Sequence, residues 1–416
     1  AFAWKISQAS ICKKLLIAPG NAGTAQVGIN INIGVNEFDK IKKLCIKEEI
    51  NMIIVGPEDP LVNGIYDFFN NEDGLKHISV IGPSKKGAKL EGSKEFSKIF
   101  MNKYGIPTAK YQSFTEETLD LGNKFLETLS PPYVLKADGL AAGKGVLIIE
   151  TLEEAKKILK EMLSESKFGI ASNKVVIEEH LKGIELSVFV LTDGVSYKIL
   201  PSAKDYKRIG EKDTGLNTGG MGAISPVPFA DRFFIEKVER EIVKPTVEGL
   251  REENIDYKGF IFIGLMVENG NPKVIEYNVR MGDPECQTIL PKLKTDFADI
   301  IEACVNKNLE KIKLNWCENK TLCIVLCSKG YPNEYKNNKE IKNLNKIKLE
   351  KNEFIFHAGT IEYNNNVFSN GGRVLNVVIK SNDFKSCRDQ AFKLINLIDW
   401  KEGFFRKDIG FKVIDK

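Results

Sequence analysis

Short apolar stretches that end in Gly/Pro turns recur through the first ninety or so residues, with amphipathic segments between them. Residues 13–18, 51–55 and 78–81 have the pattern of strands, and residues 37–49 have the spacing of a helix. Strand, helix and strand in alternation, with a Gly/Pro turn after each strand, predict a parallel α/β sheet. Ligands of such sheets bind beyond the carboxyl ends of the strands, where these turns lie. The turns are either ligand-binding loops or plain connections, and the pattern alone favours neither.

The chain has 416 residues, which is more than one hydrophobic core usually covers, so we expect two or three domains. The pattern of elements changes after the first α/β segment and again near the last quarter of the chain. The predicted division is an N-terminal α/β domain over 1–92, a central α+β domain over 93–305 with a glycine-loop subdomain at about 110–182, and a small C-terminal α+β domain over 306–416.

Composition argues against several classes of function. The net charge is only +4, and the lysines show no clustering that would form a nucleic-acid-binding face. No apolar run approaches the ~18 residues of a membrane span, and no signal peptide opens the sequence, so we expect a cytoplasmic protein. Eight scattered cysteines and three histidines fit free thiols better than a Cys/His zinc site.

A glycine-rich loop with a lysine follows the predicted strand that carries Lys136. It runs from Gly139 through Gly143 and Lys144 to Gly145. The spacing is not that of a Walker A motif, and the loop joins two strands instead of opening a helix. A glycine hairpin can still cover phosphates with its backbone N–H groups while lysines add positive charge. The loop therefore suggests a triphosphate site without establishing one.

An acidic turn follows the predicted strand 175–179. Glu178, Glu179 and the residues up to Leu181 offer backbone groups to the edge of an adenine ring. Glu185, a few residues on, is placed to accept hydrogen bonds from ribose hydroxyls. A solvent-exposed acidic turn explains the same residues if they are taken alone.

Glu276, Asn278 and Arg280 alternate along a predicted strand, so their side chains share one face. A carboxylate and an amide oxygen suit Mg²⁺, which takes few protein ligands together with phosphate oxygens and water. Arg280 can grip a carboxylate or phosphate with two hydrogen bonds. Burying such groups without partners is expensive, so this pattern favours function over structure.

A second glycine loop lies between Asp213 and residue 223 and contains four glycines. That number exceeds the needs of a turn and suggests that the backbone approaches a ligand closely. A flexible surface loop is the alternative interpretation.

Taken in order, these motifs resemble the ATP-grasp superfamily, and within it the glycinamide ribonucleotide synthetase (phosphoribosylamine–glycine ligase) family. The resemblance extends over nearly the whole chain. It rests on Leu90-Glu91-Gly92-Ser93-Lys94, on residues 136–145, on Asn217-Thr218-Gly219-Gly220-Met221-Gly222, on Arg280-Met281-Gly282-Asp283-Pro284-Glu285, and on residues 18–24, 55–58, 356–360 and 370–375.

The resemblance implies that glycine is activated by ATP as glycyl phosphate and joined to 5-phosphoribosylamine, which gives glycinamide ribonucleotide, ADP and phosphate in purine biosynthesis. The cofactors that it implies are ATP and Mg²⁺ or Mn²⁺, and the partners are the two small-molecule substrates. Oligomeric state stays open. The implied nucleotide and metal residues are Lys94, Lys136, Gly139, Gly143, Lys144 and Gly145 for the phosphates, Glu178, Glu179 and Leu181 for adenine, Glu185 for ribose, and Glu276 and Asn278 for the metal.

The resemblance also assigns the remaining substrates. Arg280, Asp283 and Lys136 are the expected catalytic residues. The residues expected to position glycine and the acyl phosphate are Asp213, Asn217, Gly219, Gly220, Met221, Arg280 and Asp283, and those expected to face phosphoribosylamine are Gly20, Asn21, Gly23, Thr24 and Glu58.

The sequence departs from the family pattern in two places. The family opens with a strand and a Gly-Gly-Arg-Glu-His loop that contacts the phosphoribosyl group, whereas this sequence opens just beyond that loop, with Ala1 and Phe2, so the expected first strand is missing from it. Tyr206 stands where the family usually has histidine. Two rival functions remain: another ATP-grasp ligase or carboxylase with a different acid, and a non-catalytic nucleotide-binding homologue.

Overall fold

The structure, a computed structural model, describes residues 1–140, 145–164 and 173–414. The α-helices are α1 Phe2–Ile6, α2 Phe38–Lys47, α3 Glu58–Asn63, α4 Ile65–Asn71, α5 Lys85–Gly92, α6 Lys94–Lys103, α7 Leu119–Glu127, α8 Leu152–Ser164, α9 Arg232–Val238, α10 Lys244–Glu252, α11 Glu285–Ile289, α12 Phe297–Val305, α13 Phe384–Ile395 and α14 Phe411–Ile414.

The strands are β1 Leu16–Ile17, β2 Ile29–Asn30, β3 Met52–Ile54, β4 Ser79–Pro83, β5 Tyr111–Phe114, β6 Tyr133–Ala137, β7 Val146–Ile149, β8 Val175–Glu179, β9 Ile184–Thr192, β10 Tyr197–Ile199, β11 Lys204–Asp205, β12 Arg208–Gly210, β13 Thr214–Asn217, β14 Gly222–Ser225, β15 Tyr257–Glu268, β16 Asn271–Asn278, β17 Lys320–Ser328, β18 Glu340–Ile341, β19 Glu353–His357, β20 Thr360–Tyr363, β21 Asn366–Ser369, β22 Arg373–Ser381 and β23 Gly403–Phe404.

These elements form two units. The first comprises Ala1–Ile50, Ile199–Ala230 and Met281–Lys416, of which the structure describes all but the last two residues. The second comprises Asn51–Lys198 and Asp231–Arg280. The three-domain division over 1–92, 93–305 and 306–416 is a different partition of the chain and stays a prediction.

The second unit contains two sheets. In one, β15 pairs with β9 and with β16, and its first residues continue onto β4, which pairs in parallel with β3. The long apolar run of β15 suits this central place, because both of its faces are covered. The other sheet has the order β5-β8-β6-β7. The apolar faces of α7 and α8 cover it and form a core with Phe114, Leu135 and Ile177.

The first unit is built on an antiparallel sheet of order β11-β14-β17-β22-β19, with β23 beside β17. Strand β17 is buried throughout except at its first residue, which explains the apolar Thr-Leu-Cys-Ile-Val-Leu-Cys stretch. Helix α13 packs on this sheet through Cys387, Ala391 and Leu394. The cysteines of the chain are free.

The fold class expected from sequence is confirmed, and most predicted elements are present within a few residues. The parallel pairing near the N-terminus is also present, but as two separate pairs, β1 with β2 and β3 with β4. The segment predicted as the loop 213–223 contains β13 and the start of β14. Helices α9 and α10 are joined by a π-helical turn at Glu239–Val243. Among the residues described, no helix is both long and apolar enough to cross a membrane.

Candidate active site

The hairpin of β6 and β7 carries the first predicted phosphate-binding group. Ala137 N donates to the carbonyl of Gly145 at 2.8 Å, which closes the hairpin, and Gly139 has a φ of 154° that favours glycine. Lys94 Nζ donates to the carbonyl of Gly139. The predicted roles of Gly143 and Lys144 fall outside the described residues.

Lys136 and Glu178 form a buried ion pair that a third residue completes. Lys136 Nζ lies 2.9 Å from Glu178 Oε1, and Lys98 Nζ lies 2.9 Å from Glu178 Oε2. All three side chains are at most 5% exposed. Lys98 also donates to Thr108 Oγ1 at 2.7 Å, and Thr108 Oγ1 donates to the carbonyl of Val274 at 2.7 Å. Two cations are therefore held beside one carboxylate next to β16.

Burial alone would raise the pKa of Glu178, but Lys136 and Lys98 outweigh it and hold that pKa below its ordinary value. Burial lowers the pKa of Lys98 to about 8, against the attraction of Glu178. Glu178 is thus held as a carboxylate by its lysine neighbours. Glu178 is consequently not part of an exposed acidic turn, which was the alternative interpretation of this segment.

The other predicted nucleotide residues lie on neighbouring strands. Glu179 is part-exposed; its Oε1 accepts from the backbone of Lys110 at 3.0 Å and lies 3.3 Å from Lys273 Nζ. Glu185 lies near the start of β9, opposite Met266 of β15. These contacts leave the adenine and ribose assignments as predictions.

Glu276 and Asn278 lie near the end of β16, and both are part-buried. They pair with Gly264 and Phe262 of β15, and their side chains share one face because they are two residues apart. Gly264 places no side chain opposite Glu276. Burial lowers the pKa of Lys94, and the attraction of the nearby Glu276 carboxylate offsets part of this shift.

This donor set fits a magnesium or manganese ion. One carboxylate and one amide offer oxygen ligands and leave positions for phosphate oxygens and water. No cluster of three or more His, Cys, Asp or Glu side chains suited to a metal occurs in the described part of the chain. The described residues therefore do not form a site in which protein side chains alone would coordinate a metal.

Arg280 is held by two carboxylates. Its Nη2 lies 2.9 Å from Glu91 Oε1, and its Nε lies 3.4 Å from Glu58 Oε2. Glu91 is buried, and its Oε2 accepts from Val279 N at 2.8 Å. Burial raises the pKa of Glu91 to about 7, with Arg280 acting in the opposite direction. Helices α3 and α5 thus each present a carboxylate that orients the arginine.

In the first unit, Arg373 ties the second glycine loop to Asp283. Its Nη1 donates to the carbonyls of Gly219 at 2.7 Å and Asp283 at 2.8 Å, and its Nη2 lies 3.0 Å from Asp283 Oδ2. The hydroxyl of Tyr331 accepts from Gly219 N at 3.0 Å. A Cβ on Gly220 would lie 2.5 Å from Cδ of Pro284, so glycine is required for this approach.

The remaining predicted residues of this loop differ in environment. Asn217 is exposed at the end of β13. The side chain of Met221 is fully buried and contacts Cys327 Sγ, which places it in the core. Asp213 pairs with Arg406 at 3.1 Å and with Lys412 at 2.7 Å. Its carboxylate is thus held by two cations of the C-terminal segment.

Tyr206, the residue that departs from the family pattern, lies beside that ion-pair cluster. The buried guanidinium of Arg406 sits 5.4 Å from the centroid of its ring. Burial raises the pKa of the Tyr206 hydroxyl well above its ordinary range. The tyrosine thus packs as an uncharged ring against a cation.

The loop predicted to face phosphoribosylamine is tightly organised. Asn21 Oδ1 accepts from the backbone N–H groups of Gly23 and Thr24, both at 2.9 Å. Thr24 Oγ1 donates to Asn30 Oδ1 at 2.7 Å, and Gly20 has a φ of 79°. The side chain of Asn21 therefore shapes the loop, while its predicted contact with substrate is untested. Glu58 lies in the second unit, bound to Arg280.

Sequence reasoning missed Lys98, Glu91 and Arg373 as participants. Lys98 had a detectable signal, because it follows Lys94 by four residues on α6 among the buried positions of that helix. Glu91 and Arg373 stand inside motifs that carried the family resemblance, but nothing in their spacing indicates which groups they bind.

Comparisons with known proteins assign successive parts of the chain to the same family. The family models for phosphoribosylglycinamide synthetase match residues 1–91 (N domain), 92–286 (ATP-grasp domain) and 321–412 (C domain). A phosphoribosylamine–glycine ligase of Fusobacterium nucleatum is 44% identical over 413 residues, which cover 99% of this chain and 95% of that protein.

Solved structures give the same result. The crystal structure of phosphoribosylamine–glycine ligase from Thermotoga maritima has a TM-score of 0.82 at 34% identity and covers 98% of this chain and 96% of its own. Biotin carboxylase of Campylobacter jejuni has a TM-score of 0.73 at 14% identity over 100% of this chain and 93% of its own. The second likeness shows the fold alone.

Proposed function

The chain belongs to the phosphoribosylglycinamide synthetase family, and from this membership we infer that it is an ATP-dependent ligase that joins glycine to 5-phosphoribosylamine. The product is glycinamide ribonucleotide, an intermediate of purine biosynthesis, and ADP and phosphate are released. The observation that carries this proposal is the 44% identity to a ligase of that name over 99% of the chain.

In the first step the carboxylate of glycine attacks the γ-phosphorus of ATP. The bond from that phosphorus to the bridging oxygen breaks, and glycyl phosphate and ADP form. Negative charge gathers on the phosphoryl oxygens, so positioned cations are what the reaction needs. We propose that Lys136 and Lys94 supply them, and the contacts of Lys136 with Glu178 and of Lys94 with the carbonyl of Gly139 support this proposal.

Glu276 and Asn278 are the proposed metal ligands. When bound, Mg²⁺ or Mn²⁺ would neutralise phosphate charge and orient the phosphoryl group. Glu178, Glu179 and Leu181 are the proposed adenine contacts and Glu185 the ribose contact. Arg280, oriented by Glu91 and Glu58, is proposed to bind the glycine carboxylate.

In the second step the amine of phosphoribosylamine attacks the acyl carbon, phosphate leaves with the bonding electrons, and the proton that the amine loses passes to the phosphate. We propose that Asp283 and the Gly219–Gly220 segment position the acyl phosphate and that residues 19–24 bind the amine substrate. The bonds from Arg373 and Tyr331 to Gly219 support this assignment, because a fixed backbone can place donors accurately. A cytoplasmic location agrees with a metabolic enzyme of this family.

A product assay tests the function. The purified chain is supplied with ATP, Mg²⁺ and phosphoribosylamine, with glycine, formate or bicarbonate as the acid, and products are identified by mass spectrometry. We expect glycinamide ribonucleotide with glycine only. ADP release that is stimulated by formate or bicarbonate, but not by glycine, would contradict the proposal and favour another ATP-grasp enzyme. ATP binding with no product from any acid would favour the non-catalytic alternative.

A further inference from the structure

His357 is a histidine to which no role has yet been given. It is the last residue of β19, and its ring packs directly against Gly23 of the loop 19–24: a Cβ on Gly23 would lie 2.6 Å from His357 Cδ2. Asn21 Nδ2 donates to the carbonyls of His357 and Ala358 at 3.0 and 3.1 Å. The loop proposed to bind the amine substrate is therefore attached to this end of β19.

The surroundings of the His357 imidazole determine its protonation state and its hydrogen-bonding capacity. Nδ1 lies 3.0 Å from Thr360 Oγ1, and burial lowers the pKa of His357 to about 4. The imidazole is thus neutral near pH 7. With the proton on Nδ1, the opposite nitrogen Nε2 is a hydrogen-bond acceptor. Among the described residues Nε2 has no hydrogen-bond partner, and the side chain is part-exposed.

Strand pairing relates His357 to the residues proposed to hold the acyl phosphate. His357 pairs with Leu375 of β22, which lies two residues from Arg373 on the same strand. Gly359 N donates to the carbonyl of Arg373 at 3.0 Å. The guanidinium of Arg373 binds Asp283 and Gly219. The end of β19 that carries His357 is thus bonded to Asn21 of the loop 19–24 and to the backbone of Arg373, all within one unit.

We propose that His357 receives the amino group of 5-phosphoribosylamine, with Nε2 accepting a hydrogen bond from it and directing its lone pair toward the acyl carbon. This inference rests on the proposed function, since it requires that substrate. A neutral acceptor suits the task, because an amine that gains a proton loses the lone pair that must attack. His357 is a binding and orienting residue in this scheme and need not take up the proton.

The test replaces the ring nitrogens without removing the ring. His357→Phe keeps a flat ring against Gly23 and deletes the acceptor. We expect the KM for phosphoribosylamine, generated from ribose 5-phosphate and ammonia, to rise about tenfold, the loss of roughly one hydrogen bond. The KM values for ATP and glycine should stay unchanged. Less glycinamide ribonucleotide should form per ADP released, because glycyl phosphate that finds no oriented amine is hydrolysed.

Two further variants make the result specific. His77→Phe makes the same change at an exposed histidine and should leave all three KM values unchanged. His357→Gln, whose amide can reach the position of Nε2, should recover part of the lost affinity for phosphoribosylamine.

The proposal is overturned if His357→Phe leaves both the KM for phosphoribosylamine and the product per ADP unchanged. It is also overturned if all three KM values rise together, since that marks a general structural role. If the unmodified chain forms no glycinamide ribonucleotide, the proposed function itself fails, and that outcome is read from the wild type before any variant is compared.

Discussion

The two units of this chain hold their candidate site residues by different means. In the second unit, charged side chains on regular strands and helices bind other charged side chains, as in the Lys98–Glu178–Lys136 group and the Arg280–Glu91 pair. The first unit also has ion pairs, at Asp213 and Asp283, but there side chains in addition bind loop backbone, as Arg373 binds Gly219 and Asn21 binds the 19–24 loop. The arrangement in the second unit fixes the positions of charged groups, and the arrangement in the first unit fixes the conformation of loops.

This difference has consequences for mutation. Removing one charge from a buried group leaves its partner unpaired, which costs several kcal/mol and affects folding as well as chemistry. Removing a side chain that braces a loop loosens a ligand contact and leaves the core intact. Substitutions in the two units should therefore differ in size and in the quantity that changes.

The largest effect is expected for Glu276→Ala. Loss of the carboxylate of the proposed metal pair should reduce turnover by at least about 1,000-fold, on the order of 4 kcal/mol. Nucleotide binding should weaken far less, because the adenine contacts lie elsewhere. Turnover is measured as glycinamide ribonucleotide formed and binding by titration calorimetry with ADP. The control is Glu268→Ala, an exposed carboxylate at the end of β15. Near-normal turnover of the Glu276 variant would show that the metal assignment is wrong.

A smaller effect, on stability, is expected for Glu178→Ala. The variant leaves Lys98 and Lys136 buried without their carboxylate, so the free energy of unfolding at pH 7 should fall by about 3 kcal/mol. The loss should shrink as the pH rises. Burial already lowers the pKa of Lys98 to about 8, and without Glu178 this pKa falls further. The folded variant therefore releases the proton of Lys98 at a pH where the unfolded chain, with its ordinary pKa near 10.5, still binds it. Raising the pH then favours the folded variant and reduces the loss of stability.

Urea unfolding of the Glu178→Ala variant at pH 7 and pH 9 measures both effects. Glu127→Ala is the matched control, because Glu127 is an exposed carboxylate paired with Lys156 and should contribute within about 1 kcal/mol. If both variants lost the same free energy of unfolding, the prediction that buried charges contribute more to stability than exposed ones would be wrong.

The smallest effect is expected on the loop side, for Arg373→Lys. An ammonium keeps the charge but cannot reach both Gly219 and Asp283 as the planar guanidinium does, so kcat/KM for glycine should fall about tenfold. The free energy of unfolding should change little. Arg232→Lys, at an exposed arginine of α9, is the control. A large loss of stability with unchanged kinetics would mean that Arg373 supports the fold and not the loop.

The fold class and most elements of this chain follow from sequence pattern, because apolar runs such as β15 and β17 are long and the turns after them are marked by Gly or Pro. The boundaries of the glycine loop could not be predicted from sequence. Residues 214–217 form β13 by pairing with β12, and such a short exposed strand has no apolar pattern that would announce it.

For the site, sequence identified which residues carry charge but not which charges meet. Glu276 and Asn278 were placed correctly on one face because that follows from strand geometry alone. Glu178 and Lys98 lie eighty positions apart, and their contact depends on how α6 packs beside β8. Arg373 is similar, since its role depends on a loop more than 150 residues earlier in the chain. Such pairings are products of tertiary packing and have no local signal.

Gly264 limits how this part of the chain can vary. A Cβ at this position would lie 3.3 Å from the Phe262 ring and 3.4 Å from Glu276 Cγ, so alanine fits once the Phe262 ring shifts by a few tenths of an ångström. A longer side chain would compete with the stem of Glu276 for the same space. The strand opposite Glu276 thus keeps room for that side chain by lacking one of its own, and we expect position 264 to tolerate only the smallest residues.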